Sequence, residues 1–537
     1  MAWSALGDSA WMFEAAGTDP GERLSRLLEL AADLEASRIA EARDIVSSFE
    51  TLAVHFDPAH GARVLDWLIS QPPPTGKAAS SGGKLIEVPV AYDVDEQVAS
   101  ALDLTPDEIV RLHSGASYTV AAVGFSPGFP YLTGLPERLH LPRRATPQPV
   151  AAGSVAIAGK QAGIYPFDSQ GGWHVLGRTD LELFDPSRAE PALLKPGDCL
   201  KFVPAENSSS NKKIPDDESA DAGFEVLEPG VLATVQDSGR QGFQKIGVSP
   251  GGAADPVAAR VANLLAGNPD KAALLECCMS GPVLRFLQDV RVAGIGWADA
   301  TRSRRPVDLT AGAVLDLRGR MVSSYGYLAI AGGIDVPEIL GSRATDLRAG
   351  FGGWQGRGLR AGDRLPLGKP QPGPQPGAWR VGCPRAKMME GTLELRFLKG
   401  MQSTWFTEEA LETFRGSIYQ LSPFSDRMGA RLDGPLLERA GTGELISQPV
   451  VAGSVQVPPD GRPIVLLAER QTIGGYPQIG HIISADVPKL ARALPGTRLR
   501  FREVSHDEAR AAWLAARREL ALLQAGLSFF TATNHYQ

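Results

Sequence analysis

The octapeptide QPVAAGSV at Gln148 to Val155 returns three hundred residues later as QPVVAGSV at Gln448 to Val455, with seven of eight letters unchanged. The match extends in both directions. GFSPGFPYLTGLP from Gly124 lines up with PFSDRMGARLDGP from Pro423, and GIYP (Gly163 to Pro166) lines up with GGYP (Gly474 to Pro477). LKPGDCLKF ending at Phe202 matches ALPGTRLRF ending at Phe501. Ordered matches over similar lengths predict a duplicated fold. The shared letters are Gly, Pro and alternating apolar residues. Glycine supplies bulges and left-handed turns and Pro starts edge strands, so the repeat reads as frame rather than chemistry.

Around each copy the chain is cut into short strands by Gly and Pro: YTVAAVGF, GSVAIAG and CLKFVP in the first half, and VLATVQ, VRVAGIG, YGYLAIAGG, LELRFLKG, PIVLLAE and TRLRFREV in the second. That pattern predicts a mainly β chain built of barrels or sandwiches. Helices are few. GERLSRLLELAADLEASR spaces Leu24, Leu27, Leu28, Ala31 and Leu34 for one helix, and TPDEIVRLHSG carries a Thr105/Glu108 capping box. DPVAARVANLLAG offers a stripe of Val257, Val261 and Leu264. A C-terminal helix opens at a Ser505/Glu508 box, with Trp513, Ala516, Leu520 and Leu523 on one face, and is expected to end at Gly526.

Polar or Pro/Gly-dense stretches at Gln71 to Lys84, Ala205 to Ala222 and Lys369 to Ala378 read as linkers. The expected units are a small α/β domain over 1–76, a β-barrel over 85–204, a linker over 205–222, a second β portion over 223–505 and a helix over 506–526.

With 54 basic against 61 acidic residues and no basic block, no nucleic-acid partner is expected. No stretch approaches a membrane span, and the N-terminus lacks a basic region followed by an apolar one. Cys199, Cys277, Cys278 and Cys383 have no metal-ligand spacing and read as thiols in a reducing cytoplasm, with no metal site expected.

The segment HSGASYTVAAVGFSPGFPYLTGLPERLHLPRRATPQPVAAGSVAIAGKQAGIYPFDSQGGWHVLGRT resembles the KipI-like family, also called allophanate hydrolase subunit 1 or the B-type subunit of 5-oxoprolinase. VLEPGVLATVQDSGRQGF, GGAADPVAARVANLLAGN, YLAIAGGIDVPEILGSRAT, SDRMGARLDGP and LLAERQTIGGYP are similar to the partner KipA family, allophanate hydrolase subunit 2 or the C-type subunit of 5-oxoprolinase. The chain thus resembles a fusion of both subunits. Two departures stand out: Gln170 replaces the proline of SPGGW, and VAYDVDEQVASAL lacks the family's Gly-rich segment.

The resemblance implies duplicated cyclophilin-like β-barrels with a small N-terminal α/β domain. It also implies an ATP-dependent hydrolase (with Mg) that opens 5-oxo-L-proline to L-glutamate together with a separate protein like the A-type subunit of 5-oxoprolinase. Its alternatives are a carboxyltransferase component serving biotin and urea or another amide, and a non-catalytic regulator of a sensor kinase. The amidase signature that cleaves allophanate is missing. No Walker motif is found, and no biotin attachment site: RAKMMEG at Arg385 to Gly391 lacks the hairpin pattern. A homo-oligomer is compatible with all three readings.

Polar residues set in the Gly-rich motifs are the candidates. In the first half, Arg144, Lys160, Gln161 and Arg178 could hold a carboxylate, carbonyl or phosphate, and His174 could serve as acid or base or merely alternate outward beside Trp173. In the second, Asp237 and Arg240 share the turn QDSGRQG, as a brace or an anion contact. Glu469, Arg470, Gln471 and Tyr476 follow the strand PIVLLA, where a barrel rim forms pockets, and Arg427 and Gln456 join them by family motif. Glu469 is the second catalytic candidate. An ion pair without catalytic role competes for the same residues.

Overall fold

The computed structural model describes residues 2–76, 83–144, 146–206, 222–298, 304–319, 321–377, 379–382, 388–389, 391–441 and 443–532, with backbone alone at 388–389 and 529–532. Most of the Gln71 to Lys84 and Ala205 to Ala222 stretches, Cys383, and most of RAKMMEG lie outside the described residues.

The duplication is two closed seven-stranded barrels. In the first, the strands run in the order Tyr118–Val123, Cys199–Pro204, Leu85–Tyr92, His174–Arg178, Ser154–Ala158, Gln161–Ile164 and Pro130–Thr133, which pairs back onto Tyr118–Val123. In the second the order is Tyr419–Leu421, Arg498–Glu503, Thr392–Lys399, Gln478–Ile482, Ser454–Gln456, Ile464–Leu466 and Gly429–Asp433, closing onto Tyr419–Leu421. Each barrel has one parallel pair, Leu85–Tyr92 with Cys199–Pro204 and Thr392–Lys399 with Arg498–Glu503. Closure removes the edges that short strands would otherwise expose.

The repeated octapeptide has a structural cause. Its Gln-Pro begins a strand of a small two-stranded ladder set apart from the barrel sheet, Gln148–Val150 against Ser169–Gly171 and Gln448–Pro449 against Ile473–Gly474. Its Gly has φ of 81° at Gly153 and 89° at Gly453, and a Cβ there would strike the carbonyl of Thr179 or Ile482. Its Ser opens a barrel strand. Ser454 is fully buried, with its hydroxyl on the Val451 N–H and on His481 Nδ1. This ladder corrects one alignment: Gly474 pairs with Gln448 as Gly171 pairs with Gln148, so GGYP corresponds to GGWH (Gly171 to His174) rather than to GIYP. Strand pairing fixes this equivalence where the letters favoured another.

Between the barrels lies a two-sheet sandwich. One sheet holds Val314–Asp316, Val283–Phe286, Phe224–Glu228 and Arg364–Leu365; the other holds Leu232–Gln236, Leu274–Cys278, Tyr325–Ile330, Val290–Ile295 and Pro306–Leu309. Phe224, Phe286, Leu275, Leu328 and Ile330 fill the space between them. The β portion after residue 222 therefore divides into a sandwich and a barrel. Helix Pro256–Ala266 covers the second sheet with Ala258, Val261, Ala262 and Leu265; Val257 and Leu264 are only half-buried, because small alanines let the helix approach Tyr327 and Ala329 closely.

The N-terminal unit pairs strands Trp3–Leu6, Ala10–Glu14, Thr51–Phe56 and Ala42–Ser48 under helix Pro20–Ala36, whose Leu24, Leu27, Leu30 and Leu34 are buried. Asp19 caps that helix by accepting the Glu22 N–H. The sheet continues into the first barrel through Ser48 and Ala122. The unit also touches the rest of the chain: Asp8 on Ser484 (2.6 and 2.9 Å), Ser48 Oγ on the Ser447 carbonyl (2.6 Å) and Asp44 on the Gln244 N–H (2.8 Å). The final helix, His506–Ala532, presents Trp513, Ala516, Leu520 and Leu523 inward as expected but passes Gly526. A helical Gly costs only about 1 kcal/mol, and Leu527 is buried against the sandwich helix.

Candidate functional site

A cleft of about 1510 Å³ lies between the N-terminal helix, one end of the first barrel and the segment Glu444 to Ser447 that leads into the second octapeptide. Lys160 and Gln161 project from the turn between two barrel strands into it, as their position after SVAIAG suggested. Arg143, Lys84 and Lys195 add positive charge, while Leu24, Leu28, Leu135, Leu141 and Ile446 supply apolar wall. Of the cleft's acids, Glu50 is paired with Arg23 at 2.8 Å and Asp198 accepts the N–H groups of Lys84 and Lys195, while Glu137 and Glu444 also line it. The side chains of Arg143 and Lys160 meet no carboxylate among the described residues. Gln161 Oε1 is buried without a donor. Such a cleft suits an anion bearing an N–H group.

His174 stands beside this cleft. Its Nε2 lies 2.8 Å from the carbonyl of Pro142, which lines the cleft. A carbonyl only accepts, so Nε2 carries the proton and Nδ1 keeps its lone pair. Partial burial, reinforced by nearby Arg144, lowers its pKa and favours the neutral ring. Arg144 is tied by its backbone N–H to Gly172, and Arg178 is exposed on the ladder opposite Ala91; neither lines the cleft.

The second-half candidates gather where sandwich and second barrel meet. Arg427 Nε donates to Glu469 at 2.6 Å, Nη1 to Glu276, and Nη2 to the Gly252 carbonyl at 2.5 Å. Burial pulls the Arg427 pKa down, but the two carboxylates more than reverse this; burial pushes Glu469 up despite Arg427. Arg470 donates to Gln244 at 2.7 Å, and burial, opposed by Asp44, lowers its pKa to about 10. The expected Asp237 to Arg240 brace is not formed. Asp237 instead accepts from Gly239 N, Ser342 Oγ and Arg343 N, while Arg240, 1 % exposed, donates to the carbonyls of Ile339 and Ala344 over the Phe351 ring. Carbonyls win because the chain folds back at 339–344 within reach of the guanidinium. Gln456 is buried and Gln471 half-buried on either side of Gly474, and Tyr476 is exposed on the same loop.

Sequence reasoning therefore found two groups, not one: Lys160 and Gln161 with His174 nearby, and the buried Arg427/Glu469 set at the domain junction. It missed Arg143 as a cleft residue and Glu276 as the third member of the ion pair. The signal for Glu276 was present, a lone carboxylate in the apolar run LLECC. Among the described residues no cluster of His, Cys, Asp and Glu could hold a metal ion, and no helix is long and apolar enough to cross a membrane.

Comparison with known proteins fits this division. Residues 1–194 match the carboxyltransferase domain, subdomains C and D, and residues 246–503 match the carboxyltransferase domain, subdomains A and B. The chain is 38% identical over 293 residues to the C-type subunit of 5-oxoprolinase from Escherichia coli, covering 53% of this chain and 93% of that protein. It is 34% identical over 217 residues to the B-type subunit of 5-oxoprolinase from Bacillus subtilis, covering 37% of this chain and 90% of that protein. The crystal structure of TTHA0988 superposes with a TM-score of 0.81 at 34% identity, covering 92% of this chain and 99% of the other. With one half similar to the B-type subunit, the other to the C-type, and both barrels closed as described, the chain belongs to the carboxyltransferase-domain family of B-type and C-type 5-oxoprolinase subunits, the two joined in a single polypeptide.

Proposed function

We propose that the chain supplies the B and C components of an ATP-dependent 5-oxoprolinase, which opens 5-oxo-L-proline to L-glutamate together with a separate A-type subunit. The observation that carries this reading is the cleft itself: one wall comes from the B-like half and another from Glu444 to Ser447 of the C-like half, so the two must be together to form it. Lys160 and Arg143 would bind the substrate carboxylate, with the orphaned Gln161 Oε1 beside them in the cleft. Neutral His174, with Nδ1 free, is suited to take a proton from water at the cleft edge. Arg427 and Glu469 act by fixing the second barrel against the sandwich within the C-like half.

ATP fits the cleft in size, since the volume exceeds what a five-membered lactam fills, and Lys84 and Lys195 would face its phosphates. Its role when bound is to make an uphill amide opening favourable by phosphoryl transfer. The chain purified with its A-type subunit should release glutamate and ADP from 5-oxo-L-proline and ATP; no turnover with the correct A-type subunit overturns the reading.

A second reading, a carboxyltransferase component served by a biotinylated carrier, is favoured by the carboxyltransferase description that both halves match. Avidin capture from the native host would recover the chain with its carrier; capture of the carrier without the chain counts against it.

A further inference from the structure

The two barrels differ beside the two-stranded ladder that each carries. In the first, Ala156 and Val175 face one another across the ladder and lie under Phe129, Tyr131, Tyr165 and Trp173, with ring centroids 4.9 to 5.8 Å apart. A methyl group on Gly171 would strike the Tyr165 hydroxyl. The space is closed and apolar.

At the equivalent positions in the second barrel stand Gln456 and Gln478, again paired across the ladder, so their side chains share a face. The residue equivalent to Gly171 is Gly474, where a methyl group would lie 2.7 Å from Gln456 Nε2 and 2.8 Å from Gln471 Nε2. Gln448, opposite Gly474 in the two-stranded ladder, completes the set. Gln448, Gln456 and Gln478 are 4 %, 2 % and 0 % exposed, yet Gln448 Nε2, Gln456 Nε2 and both side-chain polar atoms of Gln478 have no partner. Buried amides are normally satisfied by protein, water or ligand, so the four orphaned atoms on three neighbouring side chains leave three amide donors and one acceptor unspent. The duplication shows that an apolar filling is available to this frame, and the second barrel does not use it.

We infer that this face is a recognition site for a small molecule carrying a planar amide group, –CO–NH–. Glutamine presents a donor and an acceptor in one plane, the complement of an amide edge, and repeated glutamines carry no net charge that would demand an ion. The site adjoins the cleft: Gln448 follows Ser447 of the cleft wall, and Gly475 packs against Leu445 and Ser447. Two sources share this chemistry, the lactam of 5-oxo-L-proline and the ureido ring of biotin. The lactam arm rests on the function proposed above.

The test is calorimetric titration of the full chain, without the A-type subunit, using 5-oxo-L-proline and biotin as separate probes. Wild type is expected to bind 5-oxo-L-proline, and Gln456→Leu and Gln478→Leu to weaken it at least tenfold while melting no lower than wild type, since each removes a buried orphan. Where either variant fails to fold, the half-buried Gln471→Leu is read instead. Binding of biotin but not 5-oxo-L-proline, abolished in the same variants, supports the site and assigns it to the ureido group, against the lactam-opening reading. Unchanged affinity in the variants, as trapped water would give, overturns the inference, as does binding of neither probe at millimolar concentration. Turnover of 5-oxo-L-proline in the complete enzyme alongside either negative result would leave the proposed function standing and this site wrong.

Discussion

Arg427 and Glu276 join two domains through a buried ion pair, the guanidinium of the second barrel on a carboxylate of the sandwich, while Glu469 holds the other edge of the same guanidinium. Glu276 also accepts from Tyr327 OH at 2.9 Å and from the Ala254 N–H at 2.7 Å, so its lone pairs are well occupied. Removing one member of such a network strands the others, whereas neutralising all of them together does not. Arg427→Met should leave two uncompensated carboxylates and lower stability by about 3–5 kcal/mol in urea melts. Adding Glu276→Gln and Glu469→Gln should restore most of it. A loss below about 1 kcal/mol in the single variant would mean water already reaches the pair.

Three buried histidines predict an acid limb in stability. Burial lowers the pKa to about 3 at His113, where the ring stacks on Phe202 and Nδ1 meets Tyr92 OH at 2.8 Å; to about 3 at His55, with Arg470 adding to it; and to about 4 at His481. In each case the unfolded chain binds a proton below about pH 6.5 that the folded chain refuses, so stability falls as pH drops from there. Each group should cost up to about 2 kcal/mol between pH 6.5 and 5. His481→Phe should flatten the melting temperature over that range relative to wild type; an unaltered profile would contradict the assignment.

Asp57 predicts a separate, more acidic transition in the C-terminal helix. It accepts from Ala59 N (3.0 Å), Trp513 Nε1 (2.8 Å), Arg517 (3.2 Å) and Arg43 (2.7 Å). Burial raises its pKa, but these donors and charges together bring it below the usual value. A depressed carboxylate gives stability above its unfolded pKa, about 3.9, that is lost as pH falls through the lower folded value. Helix amides over 506–528 should therefore exchange faster below pH 4, and Asp57→Asn should show the same increase at pH 7. Equal exchange in variant and wild type would place the helix's anchorage in Leu520, Leu523 and Leu527 alone.

The frame was legible because its determinants are local. Gly153 and Gly453 need φ near 80–90°, Thr105 and Ser505 cap with Glu108 and Glu508, and alternating apolar residues fix each strand. What could not be read was which distant segment a polar side chain would meet. Arg427 looked like a rim residue because Glu276, 151 positions earlier, gives no local sign of reaching it. Arg240 passed over Asp237 for carbonyls 99 and 104 residues away. The position of Lys160 and Gln161 at the end of a barrel strand was legible because the turn after SVAIAG is set by local sequence. The cleft they face stayed hidden, since its far wall lies near residue 446.

The cleft gives the most direct test of how substrate is held. Lys160 and Arg143 enter it without carboxylate partners among the described residues, so removing either charge should weaken binding rather than folding. Losing a charge-assisted hydrogen bond in a solvated cleft costs about 1.5 kcal/mol, a factor of about ten. Lys160→Ala, assayed in the complete enzyme, should raise KM for 5-oxo-L-proline about tenfold with kcat within about twofold, because the carboxylate is bound equally in ground and transition states. Lys160→Arg should recover most of the loss, and added salt should raise KM in wild type but far less in Lys160→Ala. A fall in kcat at unchanged KM would move Lys160 from the carboxylate to the reacting amide or to the phosphates of ATP.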